Sequence, residues 1–531
     1  MATLDYAVVV FYLALMVGFG WYFSRQQHTS KDFLLAGRSM GWFPIGLSVM
    51  ATLISALSYT GVPAAAYGAG LKLLAWPLAL WLTLPIVTGL VLPIYRNLEI
   101  VSIYEYLELR YNQSTRIAGS VVFVFWRLTW LGGVLYAPCK VLVVAAGLDI
   151  NLYALLIVLG AVSTAYTFLG GMKAVIWTDV IQTSMMLAGI VFIICGVWMS
   201  LDGGAGRVWE VAQNLERTEV VRSTPEVGET FWSDQWLLWA MLPHLILANL
   251  SFVSADQITA QRFLTARSTR EANRSFTLSC AAVSVIYPGL IYIGLALLAY
   301  YHDFPAALQS AWETDELMPR FIVNVLPAGL AGLIFAALLA ASMSSMDSGL
   351  NSLATLVITD IYRRLGWGMS LVARLRGKSR EELDDVDELW ICRWLVMFFG
   401  IVATIFALLV SQLGDIFAIM VSVSNTFGGP LMGIVLLGML TRRCTAPAAL
   451  IALALGTVFT VWLAFGDTWG VCPWDTKLAT WWPLTIGFVG TVLVGYLLSF
   501  VLGRRKTEHE LRGLVLGVGE LGKRVAPRRA K

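Results

Sequence analysis

The chemistry-bearing residues of this chain lie inside apolar runs, where polar side chains are expensive. The run 320–362 carries Ala341-Ser342-Met343-Ser344-Ser345-Met346-Asp347-Ser348-Gly349-Leu350-Asn351. At the helical period Ala341, Ser344, Ser345 and Ser348 share one face, with Asp347 and Asn351 at its flank. A hard monovalent cation takes uncharged or singly charged oxygen ligands, and this face supplies hydroxyls and one carboxylate. Close helix packing through Ser and Gly is the rival reading. Asp347 speaks against it, because a carboxylate at the bilayer centre costs about 2.5–3.5 kcal/mol on insertion scales. Asp179, in Gly170-Gly171-Met172-Lys173 through Trp177-Thr178-Asp179, is either an interfacial carboxylate paired with Lys173 or a second acid near a cation. Lys140, well inside the run 117–147, either snorkels to an interface or is a buried cation facing an anionic solute or an Asp. Arg127 sits nearer the other boundary of that run and is expected to snorkel.

Two more runs have polarity in mid-span. One reads Ser48-Val49-Met50-Ala51-Thr52-Leu53-Ile54-Ser55-Ala56-Leu57-Ser58-Tyr59-Thr60-Gly61-Val62-Pro63; the other holds His244, Asn249, Ser251, Phe252, Ser254, Asp256 and Gln257. Unwinding there would free backbone carbonyls for a cation and amides for an anion.

Those residues need a frame of spans. Of 531 residues, 58% are hydrophobic and 13% charged, against about 45–50% and about 25% in soluble domains. Apolar runs of about 20 residues, the length that crosses a bilayer core, recur along the chain. A soluble enzyme, a disordered chain and a nucleic-acid binder are thereby excluded, and the net charge of +3 marks no polyanionic partner. A barrel is excluded too, since its strands alternate in segments of about ten. Thirteen spans are expected, roughly at 4–24, 41–70, 73–95, 117–147, 152–171, 175–201, 234–258, 275–301, 320–362, 390–411, 414–441, 446–466 and 480–503. Breaks are expected at Gly61-Val62-Pro63 and Pro327-Ala328-Gly329. With the N-terminus outside, 29 of the 37 Lys and Arg fall in inside segments, which the positive-inside rule requires; the topology is N-out, C-in. The first run lacks a basic leader and reads as a retained span rather than a signal peptide. Of six cysteines only Cys472 lies outside, so no external disulfide forms. His28, His244, His302 and His509 show no metal-ligand spacing.

Several motifs together resemble the sodium:solute symporter family. They are Phe33-Leu34-Leu35-Ala36-Gly37-Arg38, Gly170 to Asp179, Asp256-Gln257 with Gln261-Arg262, and Ala341 to Asn351 followed by Thr359-Asp360-Ile361-Tyr362. The resemblance covers about 5–505 and implies the inverted-repeat fold first seen in the bacterial leucine transporter. That fold implies one transporter domain over 1–505, with an extra first span 4–24. Repeat one covers 41–201, repeat two 234–441, and peripheral spans 446–503, before a basic cytosolic tail, 506–531. It also implies a first sodium site from the backbone carbonyls of Ala51, Ile54 and Ala341 and the hydroxyls of Ser344 and Ser345. A second sodium site found in some members maps onto Asp179, Ser344, Asp347 and Ser348, where Asp347 replaces the hydroxyl of other branches.

The resemblance is less specific about the solute. The sugar branch's Glu-Gln is missing, since Ser55 is followed by Ala56-Leu57-Ser58, and no Glu precedes Glu99. Asn249 matches a substrate-contacting asparagine, and Phe252 stands where an inner-gate tyrosine would be. Tyr59 to Ala64 and Tyr136-Ala137-Pro138 look like the monocarboxylate, iodide and multivitamin branch. The candidate substrate residues are therefore Ser55, Ser58, Tyr59, Asn249, Phe252 and Lys140, whose charge suits an anion although it is no part of that branch's pattern.

The expected protein is an all-α multi-pass symporter of the cell membrane. It imports a small solute with Na+ as the coupling ion, by alternating access. An organic anion is favoured over a sugar or other neutral solute. No nucleophile–base pair points to an enzyme, and no obligatory protein partner is expected beside the bilayer and the solute. A membrane sensor built on a transporter core is the rival class, but the tail leaves no room for an output domain.

Overall fold

The computed structural model describes residues 2–145, 147, 150–308, 312–410, 416–466 and 478–523. Cys472 and the end of the tail, 524–531, lie outside them. Regular structure among the described residues is helical apart from two isolated bridges, Met40 with Ala266 and Arg222 with Leu237. Nine helices there are long and apolar enough to cross a membrane, ten if one bent pair counts as a span. The number falls short of the thirteen expected runs because some runs are broken into short pieces and others join without a gap.

Helix α1 (Thr3–Ser24) is followed by α2 (Trp42–Leu53) and α3 (Ala56–Ala69). Between the last two, Ile54 (φ −114°, ψ 92°) and Ser55 (φ −84°, ψ 175°) are extended. The break therefore falls at Ile54–Ser55, not at the expected Gly61-Val62-Pro63, through which α3 continues. A membrane helix absorbs a proline when neighbours re-satisfy the one freed carbonyl, so Pro63 does not force an interruption. Helix α4 (Ala75–Ile86) runs on through a π turn to Asn97, and α5 (Tyr104–Arg110) leads to α6 (Gln113–Lys140).

Helix α7 (Leu152–Ser200) is two arms that meet at Gly171 (φ 56°, ψ −164°), a conformation open only to glycine. A Cβ there would sit 2.8 Å from Gln27 Oε1 and Phe33 Cδ2. The chain folds back at that point, since Tyr166 and Asp179 both bond to the same stretch of a later helix, Met343–Asp347. Next come α8 (Leu238–Ser254) and α9 (Gln257–Leu264), bent by 55° across Ala255–Asp256. Helix α10 (Thr269–Asp303) precedes α11 (Leu330–Leu356), which starts just after the expected break at Pro327-Ala328-Gly329. Asp5 closes that start by accepting the N–H groups of Gly329 (2.7 Å) and Gly332 (2.8 Å). The chain then continues through α12 (Asp385–Val410), α13 (Ile416–Leu440), α14 (Ala446–Phe465) and α15 (Trp482–Leu498).

Helix α11 is the buried axis of the bundle, enclosed by α1, α6, both arms of α7, and α12. Small residues let the helices approach. Gly349 meets Leu131, Gly332 meets Asp5, and Gly160 meets Thr404. The stretch 511–521 packs against the bundle. Leu511, Leu514, Val515 and Val518 are buried, Tyr106 donates to the Leu514 carbonyl (3.0 Å) and Asn97 to that of Leu521 (2.9 Å).

Candidate functional site

A cavity of about 420 Å³ lies between the two helix breaks. Thr52, Leu53, Ser55 and Ser58 line it from the α2–α3 break, Ser251, Phe252, Asp256 and Ile258 from the α8–α9 break, and Ser345 from α11. Gln235, Trp236, Thr480 and Trp481 line its far end, toward the start of α8 and α15. At a helix end the last carbonyls lose their intrahelical partners, and the α2 terminus lies on the same cavity as Ser345.

Beyond the two breaks, on the side of α9, the path is closed by Arg262, which is fully buried. Its Nε donates to Ser48 Oγ (2.7 Å), Nη1 to the Ile258 carbonyl (2.8 Å) and Nη2 to Asp179 Oδ2 (3.0 Å) and to Ser348 Oγ. The adjacent Gln261 donates to the Leu34 carbonyl (2.7 Å), Asn351 (3.0 Å) and Thr355 (2.8 Å). This plug joins α2, α7, α9 and α11.

The expected cation residues cluster here. Ser344 Oγ donates to Asp179, as does Ser48 Oγ at 2.5 Å. Ser345 Oγ donates to the Ala341 carbonyl (3.2 Å). Asp347 accepts from Tyr166 OH (2.8 Å) and from Ser348 Oγ (3.0 Å). Asp179 and Asp347 are both fully buried, so neither is an interfacial carboxylate paired with Lys173, whose Nζ donates to Gln26 instead. No group of three or more His, Cys, Asp or Glu that could hold a metal occurs among the described residues. The donors are hydroxyls, carbonyls and isolated carboxylates, which suit a hard monovalent ion such as Na+ better than a tightly held transition metal.

The expected substrate residues divide. Ser55, Ser58 and Phe252 line the cavity. Tyr59 turns away and donates to the Met186 carbonyl (3.2 Å), while Asn249 donates back to its own helix at Leu245 (2.9 Å). Lys140 ends α6 remote from the cavity lining. The turn that follows it packs against 314–316, where burial pushes the Asp315 carboxyl up and Lys140 partly offsets that rise.

Arg127 corrects the expectation that it snorkels. It is 2% exposed, lines the cavity, and pairs with Asp256 across the second break. Its guanidinium lies 4.3 Å from the Trp126 ring centroid and 4.8 Å from that of Trp130. The sequence did hold the signal, one Arg and one Asp in separate apolar runs, but not their pairing. Ser48 stood in the polar second run without an assigned role, and Tyr166 carried no signal.

An all-helical bundle with a cavity at two helix breaks, beside a buried oxygen-rich face, defines a secondary transporter driven by a cation. The sodium:solute symporter family model matches residues 33–456. The sodium-dependent multivitamin transporter of Oryctolagus cuniculus is 33% identical over 478 residues, 88% of this chain and 71% of that protein. The sodium/sialic acid symporter of Proteus mirabilis is 29% identical, covering 87% of this chain and 90% of its own. The human sodium-coupled monocarboxylate transporter 1 is 30% identical over 87% of this chain and 73% of its own. A solved Na+-coupled sialic acid symporter, substrate-bound and outward-open, matches with a TM-score of 0.83 at 26% identity, covering 95% of this chain and 99% of that one. The chain belongs to the sodium:solute symporter family. It is a Na+-coupled solute symporter, a multi-pass protein of the cell membrane.

Proposed function

We propose that this symporter imports a small organic anion by alternating access, with its N-terminus outside and its C-terminus inside. In this reading 41–201 and 234–441 are inverted repeats, and their broken first helices meet at the cavity. The observation that carries it is the one-sidedness of the site: a cavity extends from the breaks to Trp236 and Trp481, while Arg262 closes the other side. That is an outward-facing arrangement, which a transport cycle inverts. The cavity's buried cation, Arg127, favours an anionic solute, and relatives named for sialic acid and monocarboxylates point the same way.

The first Na+ takes the carbonyls of Ala51, Ile54 and Ala341 with the hydroxyls of Ser344 and Ser345. A second takes Asp179, Ser344, Asp347 and Ser348, once Asp179 is released from Arg262. Each Na+ gains about 2.3 kcal/mol per 100 mV and about 1.4 kcal/mol from a tenfold gradient. Two ions therefore supply roughly 7 kcal/mol, ample for accumulating a solute. Uptake into proteoliposomes across a panel of labelled acids, sugars and neutral amides, with and without a Na+ gradient, tests this. Saturable uptake of acids that collapses without Na+ is expected. Na+-driven uptake restricted to neutral solutes refutes the anion, and non-saturable flux refutes the symporter cycle.

A further inference from the structure

We propose that Arg127 receives the anionic group of the solute by exchange from Asp256, and that the aromatic walls around it select a flat, apolar monoanion. This rests on the anion-symport reading above. A guanidinium offers five N–H donors in a planar fork. Here a single pairing, Nη2 to Asp256 Oδ2, is made, and Nε is buried without a partner. Leaving such a donor dry is costly, and a carboxylate lying along the Nε edge would complete a bidentate pair. One further buried polar atom of the cavity lining lacks a partner beside it, Trp126 Nε1, so unfilled hydrogen-bonding capacity gathers at these two adjacent residues. That capacity is what an acidic head group needs. The remaining walls, among them Trp76, Trp130 and Tyr287, suit a planar body.

Asp256 holds the guanidinium in the meantime. Its Oδ1 is engaged by the Ile258 N–H (2.9 Å) at the start of α9, so it stays put while its Oδ2 can be given up. Charge explains the coupling. Arg127 and Asp256 sum to zero, so an entering carboxylate leaves the cavity at minus one. A Na+ beside Ser345, on the same cavity wall, restores neutrality. An uncharged solute gains nothing from that ion.

The test uses the full chain in nanodiscs with two probes, phenylacetate and its uncharged twin phenylacetamide, read as ligand-induced thermal stabilisation in NaCl and in choline chloride. The protein should bind phenylacetate at least tenfold tighter than phenylacetamide, and only in Na+. In Arg127→Gln/Asp256→Asn, which removes both charges and leaves neither stranded, that preference should vanish while stabilisation by Na+ itself persists. Asp256→Asn alone should bind phenylacetate several-fold tighter, because the competing carboxylate is gone. A preference for phenylacetate that survives in the double variant overturns the proposal, as does weaker binding in Asp256→Asn, the result a purely structural brace gives. Failure to bind phenylacetate overturns the substrate class but leaves Na+ symport standing. Absence of any Na+ stabilisation overturns the symport reading itself.

Discussion

Replacing Arg262 by Gln should both loosen the fold and sharpen its dependence on Na+. Arg262 and Asp179 are fully buried with Nη2 3.0 Å from Oδ2. At an effective dielectric of about 20 that pair is worth roughly 5 kcal/mol before desolvation, and removing one partner of a buried pair typically costs about 3–5 kcal/mol. Arg262→Gln therefore strands the Asp179 carboxylate, whose remaining donors are Ser48 and Ser344. Asp179→Asn strands the guanidinium in turn. The double variant strands neither, so it should recover at least about 2 kcal/mol relative to the sum of the single losses. The stranded carboxylate of Arg262→Gln is also an unopposed ligand for a cation. Its melting midpoint should rise more on exchanging choline for Na+ than that of the unmodified protein, and this excess should disappear when Asp179→Asn is added. Melting curves of the four proteins in both salts decide it. Strictly additive losses, or an Na+ response in Arg262→Gln no larger than that of the unmodified protein, would refute the reasoning.

Four further outcomes are expected. Ser344→Ala and Ser345→Ala should each raise the half-saturating Na+ concentration for uptake by about tenfold, the worth of one hydroxyl ligand at about 1–1.5 kcal/mol, with expression unchanged; Na+ titration of uptake checks this. Asp347→Asn should lower the number of Na+ moved per solute, measured from reversal potentials on reconstituted protein. Lys140→Gln should leave the half-saturating concentration of an acidic solute within about twofold, because Lys140 stands beside Asp315 and not at the cavity; a tenfold rise in uptake assays would return it to the site. Arg207 donates to Asp303 from Nε (2.8 Å) and Nη2 (2.6 Å) and holds its carboxyl down at about 2. A depressed carboxyl stabilises above its unfolded value and loses that contribution as pH falls toward its folded one, so acidification from pH 5 to about 2 should cost the protein more stability than it costs Arg207→Gln, read as melting midpoints.

Much of this was legible in the sequence, because a bilayer leaves few alternatives. The apolar runs, the helical face Ala341–Ser344–Ser345–Ser348 and the break before Leu330 follow from hydropathy, the helical period and a Pro-Gly pair. The other break was misplaced. Gly61 and Pro63 are the conspicuous helix breakers, yet the chain opens at Ile54–Ser55, where no residue type announces it and tertiary contact alone decides. Charge was legible as residues but not as pairs. Arg127 and Asp256 are 129 positions apart and Arg262 and Asp179 are 83 apart, and no local period connects them. Each charge alone looks like a candidate for snorkelling or for an interface, and only the fold shows that the partner is buried beside it. Lys140 is the converse. Its depth in the run suggested a cavity, but the π turn that follows α6 brings it to the 314–316 turn.

The same arrangement bears on why solute and ion must travel together. Ser344 and Ser345 are neighbours on α11, yet one bonds to Asp179 behind the plug and the other lines the cavity. In the proposed first Na+ site the ion would coordinate Ser344 and Ser345 together, and since Ser344 also donates to Asp179, drawing that hydroxyl toward the ion would strain one of the contacts holding the carboxylate that Arg262 closes against. In that reading, binding on the cavity side would loosen the seal on the other side without any long-range relay, through two adjacent residues of one helix. In the cavity, an anion that draws Arg127 from Asp256 acts on the α8–α9 break, and Arg262 is six residues further along the same segment. Under the proposed anion symport, ion and anion would therefore pull on the plug from its two sides, Asp179 on α7 and Arg262 on α9, and neither alone would loosen both.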